Sequence, residues 1–342
     1  MSDISTRIKG HAGRITLTRP KALNAVTYEM VKAITAALDS WADDDAVSLV
    51  VIDAEGDKAF SAGGDIADLY ATGIKGDFTF GQTFWRDEYR MNARLAEYPK
   101  PIISFLQGFT MGGGMGVGCH GSHRITGESS RIAMPECGIG LVPDVGGSQI
   151  LASAPGQIGA YLGTTGARIE PADAILAGFA DYFIPEEEWP ALITTIEETG
   201  LPACVTAAAK PPPDGTLARV QGEIDRHFTT SDLPALLASL RQSKTDFAAQ
   251  TLKALSRNSP LSIGCTLEII RALGRNPTIR DALTLEYRFT HRAMQHGDFL
   301  EGIRAAIIDK DRTPHWKHAL DDVPQAAVLA MLAPLGENEL TF

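Results

Sequence analysis

The chain has 342 residues, and its 31 lysines and arginines against 42 aspartates and glutamates give a formal net charge of -11. Hydrophobic residues make up 44% and charged residues 21%, which is typical of a globular protein and argues against a disordered, collagen-like or coiled-coil chain. The acidic balance offers no general attraction to nucleic acid or to an anionic membrane, so we expect neither as a partner.

The first half of the chain alternates short strands with helices. Helices are predicted where apolar residues recur at helical spacing: 26–44, from about residue 65, and 79–98. Strands are predicted where β-branched and apolar residues run up to a proline or a glycine: 13–20, 47–56 and 99–108, with two more within 123–136. This alternation predicts an α/β layered core.

The second half of the chain has a helical pattern, and no strand is predicted after Pro185. Residues 186–258 are polar and are interrupted by a KPPPDG turn at 210–215, whereas the spacing from residue 259 onward is that of packed helices. We therefore predict a catalytic core over 1–195 and a helical C-terminal region over 196–342 that packs on it.

Two glycine-rich segments follow predicted strands. Seven of the fourteen residues 108–121 are glycine, although each interior glycine costs a helix about 1 kcal/mol relative to alanine. Such a segment indicates close approach of its backbone, either to a neighbouring sheet or to a ligand. The second segment is SAGGD at 61–65. If both lie at the carboxyl ends of neighbouring strands, each can direct one N–H at a single oxygen, which is the geometry of an oxyanion hole.

The glycine helix also contains the spacing of a dinucleotide-binding motif, at Gly116, Gly118 and Gly121. In such a site the first glycine directly follows its strand, whereas here 108–115 intervenes. Glu136 stands about where the acidic residue of the motif is expected, but it follows a proline in a turn. We therefore disfavour a nicotinamide-dependent dehydrogenase.

Two acidic residues stand in rigid turns beyond the glycine helix. Glu136 and Asp144 each follow a proline in AMPECGIGLVPDVGG, and the residues between them are apolar. Two carboxylates close together in a poorly hydrated pocket would have their pKa values pushed apart, leaving one ionised and one able to donate a proton. The alternative is that either residue caps the helix that follows, a role that suits Asp144 before VGGSQ.

Several motifs together resemble the enoyl-CoA hydratase/isomerase (crotonase) superfamily: SAGGDI, TMGGG, MPE, GLVPDVGG, and RPKALNAV at its CoA-binding side. The further motifs LTLEYR and EGIRAAIIDKD-x-x-P-x-W resemble its 3-hydroxyisobutyryl-CoA hydrolase branch. The resemblance covers nearly the whole chain and is weakest at about 195–255. It implies an α/β fold, a crotonase-like spiral of repeated β-β-α units with a helical C-terminal extension.

The resemblance also implies roles for particular residues. The backbone N–H groups of Gly64 and Gly113 correspond to the family's oxyanion donors, and Glu136 and Asp144 correspond to its two catalytic acids. Gly113, Glu136, Asp144 and Glu88 correspond to substrate-binding positions. For Glu88 the alternative is an exposed helical carboxylate paired with a neighbouring arginine, Arg86 or Arg90.

The reaction follows from a departure within the family. A hydratase carries a glutamate three residues after the second oxyanion glycine, where this chain has Gly116, and a glycine where this chain has Asp144. Because hydration of a C=C bond needs both hydratase carboxylates, we expect it to be lost or very weak. The resemblance implies hydrolysis of a short branched 3-hydroxyacyl-CoA thioester, with 3-hydroxyisobutyryl-CoA in valine catabolism as the first candidate. An enoyl-CoA hydratase and a non-catalytic acyl-CoA-binding protein are the alternatives.

The remaining expectations concern cofactors and compartment. His120 and His123 have no third ligand nearby, and no histidine is placed to activate Cys137, so we expect packing roles, no metal and no organic cofactor beyond the substrate's CoA. With four scattered cysteines and no apolar leader, we expect a cytoplasmic protein, and its oligomeric state stays open. Three cations are candidates for the CoA phosphates: Arg19, Lys21 and Lys58.

Overall fold

The computed structural model describes residues 3–230 and 232–342, which divide into two compact units interleaved along the chain. Unit 1 comprises the described residues up to Asp65, with Arg90–Ala133 and Ile169–Gly215. Unit 2 comprises Ile66–Tyr89, Met134–Arg168 and the described part of Thr216–Phe342. The domain division predicted at residue 195 stays a prediction, because it concerns a split along the chain and these units do not follow chain order.

All strands of the described residues belong to unit 1. They are β1 (Ile4–Lys9), β2 (Ala12–Leu17), β3 (Leu49–Ala54), β4 (Ala59–Ser61), β5 (Ile102–Phe105), β6 (Phe109–Met111), β7 (His123–Thr126), β8 (Arg131–Ala133) and β9 (Tyr182–Phe183). A six-stranded sheet has the order β1-β2-β3-β5-β7-β9, and a three-stranded sheet has the order β4-β6-β8. Every pair is parallel except β1 with β2.

The helices give the rest of the chain its structure. They are α1 (Tyr28–Trp41), α2 (Ala67–Gly73), α3 (Thr79–Ala96), α4 (Gly113–Gly118), α5 (Gly147–Ser153), α6 (Ile158–Thr165), α7 (Pro171–Leu176), α8 (Trp189–Thr199), α9 (Ala203–Ala208), α10 (Leu217–His227), α11 (Leu233–Gln242), α12 (Asp246–Leu255), α13 (Pro260–Leu273), α14 (Ile279–His296), α15 (Phe299–Ile303) and α16 (Gln325–Leu332). None of these helices is long and apolar enough to cross a membrane.

The strands repeat in pairs along the chain. In β3–β4, β5–β6 and β7–β8, the first strand joins the six-stranded sheet and the second joins the three-stranded sheet. A helical segment follows each pair: α2, α4 and the 3₁₀ helix Glu136–Ile139. The repetition aligns the second strands, so the glycine segments that follow β4 and β6 start from neighbouring parallel strands.

One hydrophobic cluster of unit 1 lies on one face of the six-stranded sheet. Strand residues such as Val51 and Ile103 pack against Trp189 and Ile196 of α8. The rings of Phe105 and Trp189 meet edge to face, with centroids 5.3 Å apart. Strands buried by a covering helix carry near-continuous apolar residues, which is why these strands were recognisable in the sequence.

Four strands were not predicted from the sequence: β1, β4, β6 and β9. The residues of β1, ISTRIK, are mostly exposed and carry no apolar alternation. The other three strands have only two or three residues each, which are too few to give a pattern. The expected absence of strands after Pro185 is confirmed over the described residues.

Candidate active site

Unit 1 presents two backbone N–H groups at the ends of neighbouring strands. Gly64 follows β4, Gly113 is the first residue of α4 after β6, and these strands pair in parallel with Ser61 opposite Thr110. The first N–H groups of a helix have no partner within it. Over residues 3–230 and 232–342 neither the Gly64 nor the Gly113 N–H has a hydrogen-bond acceptor. Both are therefore available as donors to a ligand.

The glycines around them serve close packing as well. A Cβ at Gly114 would lie 2.5 Å from the Cβ of Ser61, and one at Gly118 would lie 2.7 Å from the ring of Phe60. Gly112, which precedes α4, has a φ of +47°, in the region that favours glycine. Close packing therefore explains several of the glycines in this segment. It does not occupy the N–H of Gly113, which remains available to a ligand.

Unit 2 contains four buried carboxyl groups that influence one another. Glu88, Glu136, Asp144 and Glu286 are each at most 4% exposed. Burial raises the pKa of all four, and the charge of Asp144 further raises the pKa of the other three. We call these four residues the carboxyl cluster. It joins three residues predicted from the sequence with one that was not.

Glu136 has a carboxyl group that meets no donor from another described residue. The residue begins the 3₁₀ helix Glu136–Ile139, and both of its carboxyl oxygens are buried. Burial raises its pKa well above the ordinary value, and the charges of Asp144 and Glu286 raise it further. The protonated form of Glu136 is therefore favoured when no ligand is bound.

Asp144 has a defined partner. The Tyr89 hydroxyl donates a hydrogen bond to its Oδ2 at 2.7 Å. Burial raises the pKa of Asp144 to about 7, and this hydrogen bond limits the rise. The next residue, Val145, has a φ of +52°, which is rare for a β-branched residue and indicates a strained turn. The Tyr89 hydroxyl thus favours the ionised form of Asp144 and opposes the effect of burial.

Glu286, and not Asp144, caps the helix that follows the turn. The N-cap of α5 is Gly146, which has no side chain to offer. Glu286, on α14, accepts hydrogen bonds from the N–H of Gly146 at 2.8 Å and of Ser148 at 3.0 Å, and from the Ser148 hydroxyl. Burial raises the pKa of Glu286 to about 8 in spite of these donors. The capping role considered for Asp144 is therefore wrong.

Comparison with known proteins identifies the family. The family model for enoyl-CoA hydratase/isomerase matches residues 12–332, almost the whole chain. The chain belongs to this family.

Full-length relatives and solved structures agree with that assignment. The chain is 35% identical to a mitochondrial 3-hydroxyisobutyryl-CoA hydrolase of Gallus gallus, over 99% of this chain and 91% of the relative. It is 38% identical to the enzyme of that name from Rattus norvegicus, over 98% and 89%. The crystal structure of an enoyl-CoA hydratase from Rhodobacter sphaeroides 2.4.1 has a TM-score of 0.96 and 57% identity, with 100% of both chains covered. That of a carnitinyl-CoA dehydratase from Mycobacterium thermoresistibile has a TM-score of 0.95 and 36% identity, with 100% and 99% covered. The predicted crotonase fold is confirmed.

Glu88 is buried inside the protein. It is 3% exposed, so the alternative of an exposed, arginine-paired carboxylate is wrong. The guanidinium of Arg86 lies over the ring of Tyr287, 5.6 Å from its centroid. Burial, and then the charge of Asp144, raises the pKa of Glu88 well above its ordinary value.

Three functional candidates were not predicted from the sequence: Tyr89, Ser148 and Glu286. A signal was present for Glu286, since it falls in the apolar stripe of α14 between Leu283 and Thr290, where a carboxylate is out of place. Tyr89 adjoins the predicted Glu88, but nothing in the sequence joins it to Asp144. Ser148 gave no signal beyond its place after the glycine turn.

Other predicted features have structural roles in this family member. The ring of His123 stacks on Tyr182, with centroids 5.8 Å apart. The Cys137 thiol is buried against the carbonyl of Gly163, and burial raises its pKa to about 12, which opposes a nucleophilic role. Over the described residues, no group of three or more potential ligands is arranged for a metal ion.

The three candidate phosphate ligands differ in their surroundings within unit 1. Arg19 bonds Asp65 at 3.1 Å and lies 3.3 Å from Asp3, so its charge is already paired. Lys21 and Lys58 line a cleft of about 240 Å³ beside Pro20, where Glu55 and Asp57 are also exposed. The two lysines are therefore better placed than Arg19 to meet an anion.

Proposed function

We propose that this enzyme hydrolyses a short branched 3-hydroxyacyl-CoA thioester, with 3-hydroxyisobutyryl-CoA as the preferred substrate, as a step of valine catabolism. The observation that carries the proposal is the buried pair of Glu136 and Asp144 in a chain that has glycine at position 116. A hydratase of the family is expected to have its second carboxylate at that position. Relatives named 3-hydroxyisobutyryl-CoA hydrolase that align along nearly the whole chain support the same reading.

The proposed chemistry assigns a step to each group. The N–H groups of Gly64 and Gly113 stabilise the negative charge that develops on the thioester oxygen, an effect worth about 10²–10³ in rate per donor. Glu136, once ionised, either attacks the carbonyl carbon to give an anhydride that water then cleaves, or removes a proton from the attacking water. In both routes the C–S bond breaks, CoA leaves as a thiolate that takes up a proton, and the acid is released.

Asp144 and Glu88 have supporting roles in the proposed reaction. Asp144, held by Tyr89, orients the substrate hydroxyl or the water, and Glu88 is a second buried group able to bond the substrate. Because Glu136 acts as a carboxylate and its pKa is raised by burial, the rate should increase as pH rises through that raised pKa.

Wild-type enzyme should release free thiol from 3-hydroxyisobutyryl-CoA and show little or no hydration of crotonyl-CoA. A thiol-reactive dye measures the first reaction, and loss of the enoyl thioester absorbance measures the second. A panel of short acyl-CoAs, with and without a 3-hydroxyl group, shows which substrate feature matters. Equal thiol release across the panel would contradict the proposed preference.

The second candidate is an enoyl-CoA hydratase, because the 57% identical Rhodobacter sphaeroides structure carries that name. It requires crotonyl-CoA to be consumed without thiol release. The same two assays therefore separate the candidates, since only hydrolysis liberates the CoA thiol.

Replacing Lys58 with alanine should raise KM for the acyl-CoA about two- to fivefold and leave kcat unchanged, because an exposed charge pair contributes roughly 0.2–1 kcal/mol. The matched variant Asp57→Asn removes an opposing charge from the same cleft and should lower KM. Steady-state kinetics at low and high salt provide the measurement, since screening should shrink both effects. Unchanged KM in both variants would show that the CoA phosphates bind outside this cleft.

A further inference from the structure

The carboxyl cluster contains a group to which the proposed chemistry assigns no step. Glu286 is fully buried, 140 residues along the chain from Gly146, whose N–H it accepts. Each of its two oxygens accepts a backbone N–H, so both are committed to the turn between Asp144 and α5. An ordinary cap comes from the residue at the helix start, and here a different helix supplies it.

The same helix reaches Asp144 by a second route. Thr290 lies one turn after Glu286 on α14, and the Tyr89 hydroxyl lies 3.4 Å from its Oγ1 while it donates to Asp144. Helix α14 therefore fixes the backbone just after Asp144 through Glu286 and contacts the donor to its side chain through Thr290. Both contacts lie within unit 2.

The electrostatic surroundings contain acids from several elements. Glu88 and Tyr89 on α3, Cys137 on the 3₁₀ helix, Asp144 on its turn and Glu286 on α14 act on one another or on Glu136. Among the described residues no cation contributes to the pKa of Glu136, Asp144 or Glu286. Each negative charge in the cluster therefore makes ionisation of the next carboxyl group harder.

We propose that Glu286 is a positioning residue for the hydrolysis proposed above: from α14 it holds the Asp144 turn in place, and it belongs to the same buried cluster as Glu136. When Glu286 is ionised, its charge opposes ionisation of Glu136. The inference rests on the proposed function for its kinetic consequences. Its consequence for protonation does not depend on any substrate.

Glu286→Gln is the first test. The amide keeps the size of the side chain but has one oxygen for two N–H donors, so the turn should loosen and kcat should fall roughly 10- to 100-fold. KM should stay within about threefold. Loss of the negative charge should also move the acid limb of kcat/KM to lower pH, whereas a purely structural cap would lower activity without moving the profile.

Tyr89→Phe provides a second test. It removes the hydrogen bond that favours ionised Asp144. Because the charge of Asp144 raises the pKa of Glu136, the acid limb should again move to lower pH. A shift to higher pH would overturn the proposal.

A matched control exists in unit 2. Asp298 is a buried carboxylate that accepts the hydroxyl of Ser259 at 2.6 Å and the N–H of Lys317 at 3.0 Å, and it contributes to none of the pKa shifts in the cluster. Asp298→Asn removes a comparable buried charge. It should leave the pH profile unmoved, and a shift equal to that of Glu286→Gln would show that any buried charge has this effect.

Carboxyl ¹³C NMR titration of the full chain tests the protonation claim without substrate. Few of the 42 acidic residues should titrate near or above neutral pH, so the cluster signals stand apart, and Glu136→Gln and Asp144→Asn assign them. Glu286→Gln should lower the midpoint of the Glu136 signal, and an unchanged midpoint would overturn the proposal. If Glu286→Gln does not fold, Ser148→Ala should give a smaller shift in the same direction, because losing a donor favours neutral Glu286. Should the wild type release no thiol, the NMR result alone still decides this inference.

Discussion

Glu136→Gln is expected to reduce thiol release from 3-hydroxyisobutyryl-CoA by about 10³-fold or more, with the affinity for CoA unchanged within a few-fold. Gln has the volume of Glu but can neither attack a carbonyl carbon nor accept a proton from water. Because the carboxyl group of Glu136 bonds no other residue in the described part of the chain, the substitution breaks no hydrogen bond between side chains. The kcat measured with saturating substrate provides the test.

The same variant should be more stable than wild type at high pH, which separates a chemical role from misfolding. Folded Glu136 keeps its proton in the range where the unfolded chain has lost it, since its pKa lies well above 4.5. The folded state then binds more protons, so its contribution to stability is complete at low pH and is lost as pH rises through the folded pKa. Gln does not ionise, so the variant's advantage in melting temperature should grow from pH 4 to pH 8. An inactive variant that is less stable throughout would contradict this account, and undiminished turnover would reject the role of Glu136.

The local residues of the site could be predicted because short-range rules mark them. Proline before Glu136 and before Asp144 restricts the backbone there, and the glycines after Asp144 indicate a tight turn. The same applies to the SAGGD and TMGGG segments, whose strand-to-turn geometry is local. The sequence predicts that both segments follow neighbouring strands, and the parallel pairing of β4 with β6 agrees with this.

Partners from distant segments could not be predicted in the same way. Which donor meets Asp144, and which carboxylate caps α5, depends on how α3 and α14 pack in unit 2. A helical period predicts only that Glu286 lies in a buried stripe. A carboxylate in that stripe predicts a buried polar partner, but the sequence does not name it. The alternative that Asp144 caps α5 is wrong for this reason, since proximity along the chain pointed to Asp144 and not to Glu286.

The interleaving of the two units has a similar cause. Unit 1 combines β1 to β8 with Ile169–Gly215, because α8 covers the six-stranded sheet. Unit 2 combines Met134–Arg168 with helices that follow residue 216. The composition of the chain changes once, near Pro185, so it predicts a single domain boundary. Packing between segments that are far apart in the sequence does not change the composition and could not be predicted from it.

Asp144→Asn is expected to lower kcat about 100-fold while the protein stays folded. Asn keeps an oxygen that can accept the Tyr89 hydroxyl, so the change removes the negative charge and little else. An orienting carboxylate that bonds the substrate hydroxyl or the water contributes most in the transition state, so kcat should fall more than KM rises. The activity that remains should have its acid limb at lower pH, because the charge of Asp144 is one cause of the raised pKa of Glu136.

The matched variant is Asp281→Asn, which removes the acid of the capping box at the start of α14. It should cost about 1 kcal/mol of stability and leave kcat unchanged. If Asp144→Asn behaved like Asp281→Asn, with near-normal kcat and only a lower melting temperature, Asp144 would be a structural residue and Glu136 would act without it.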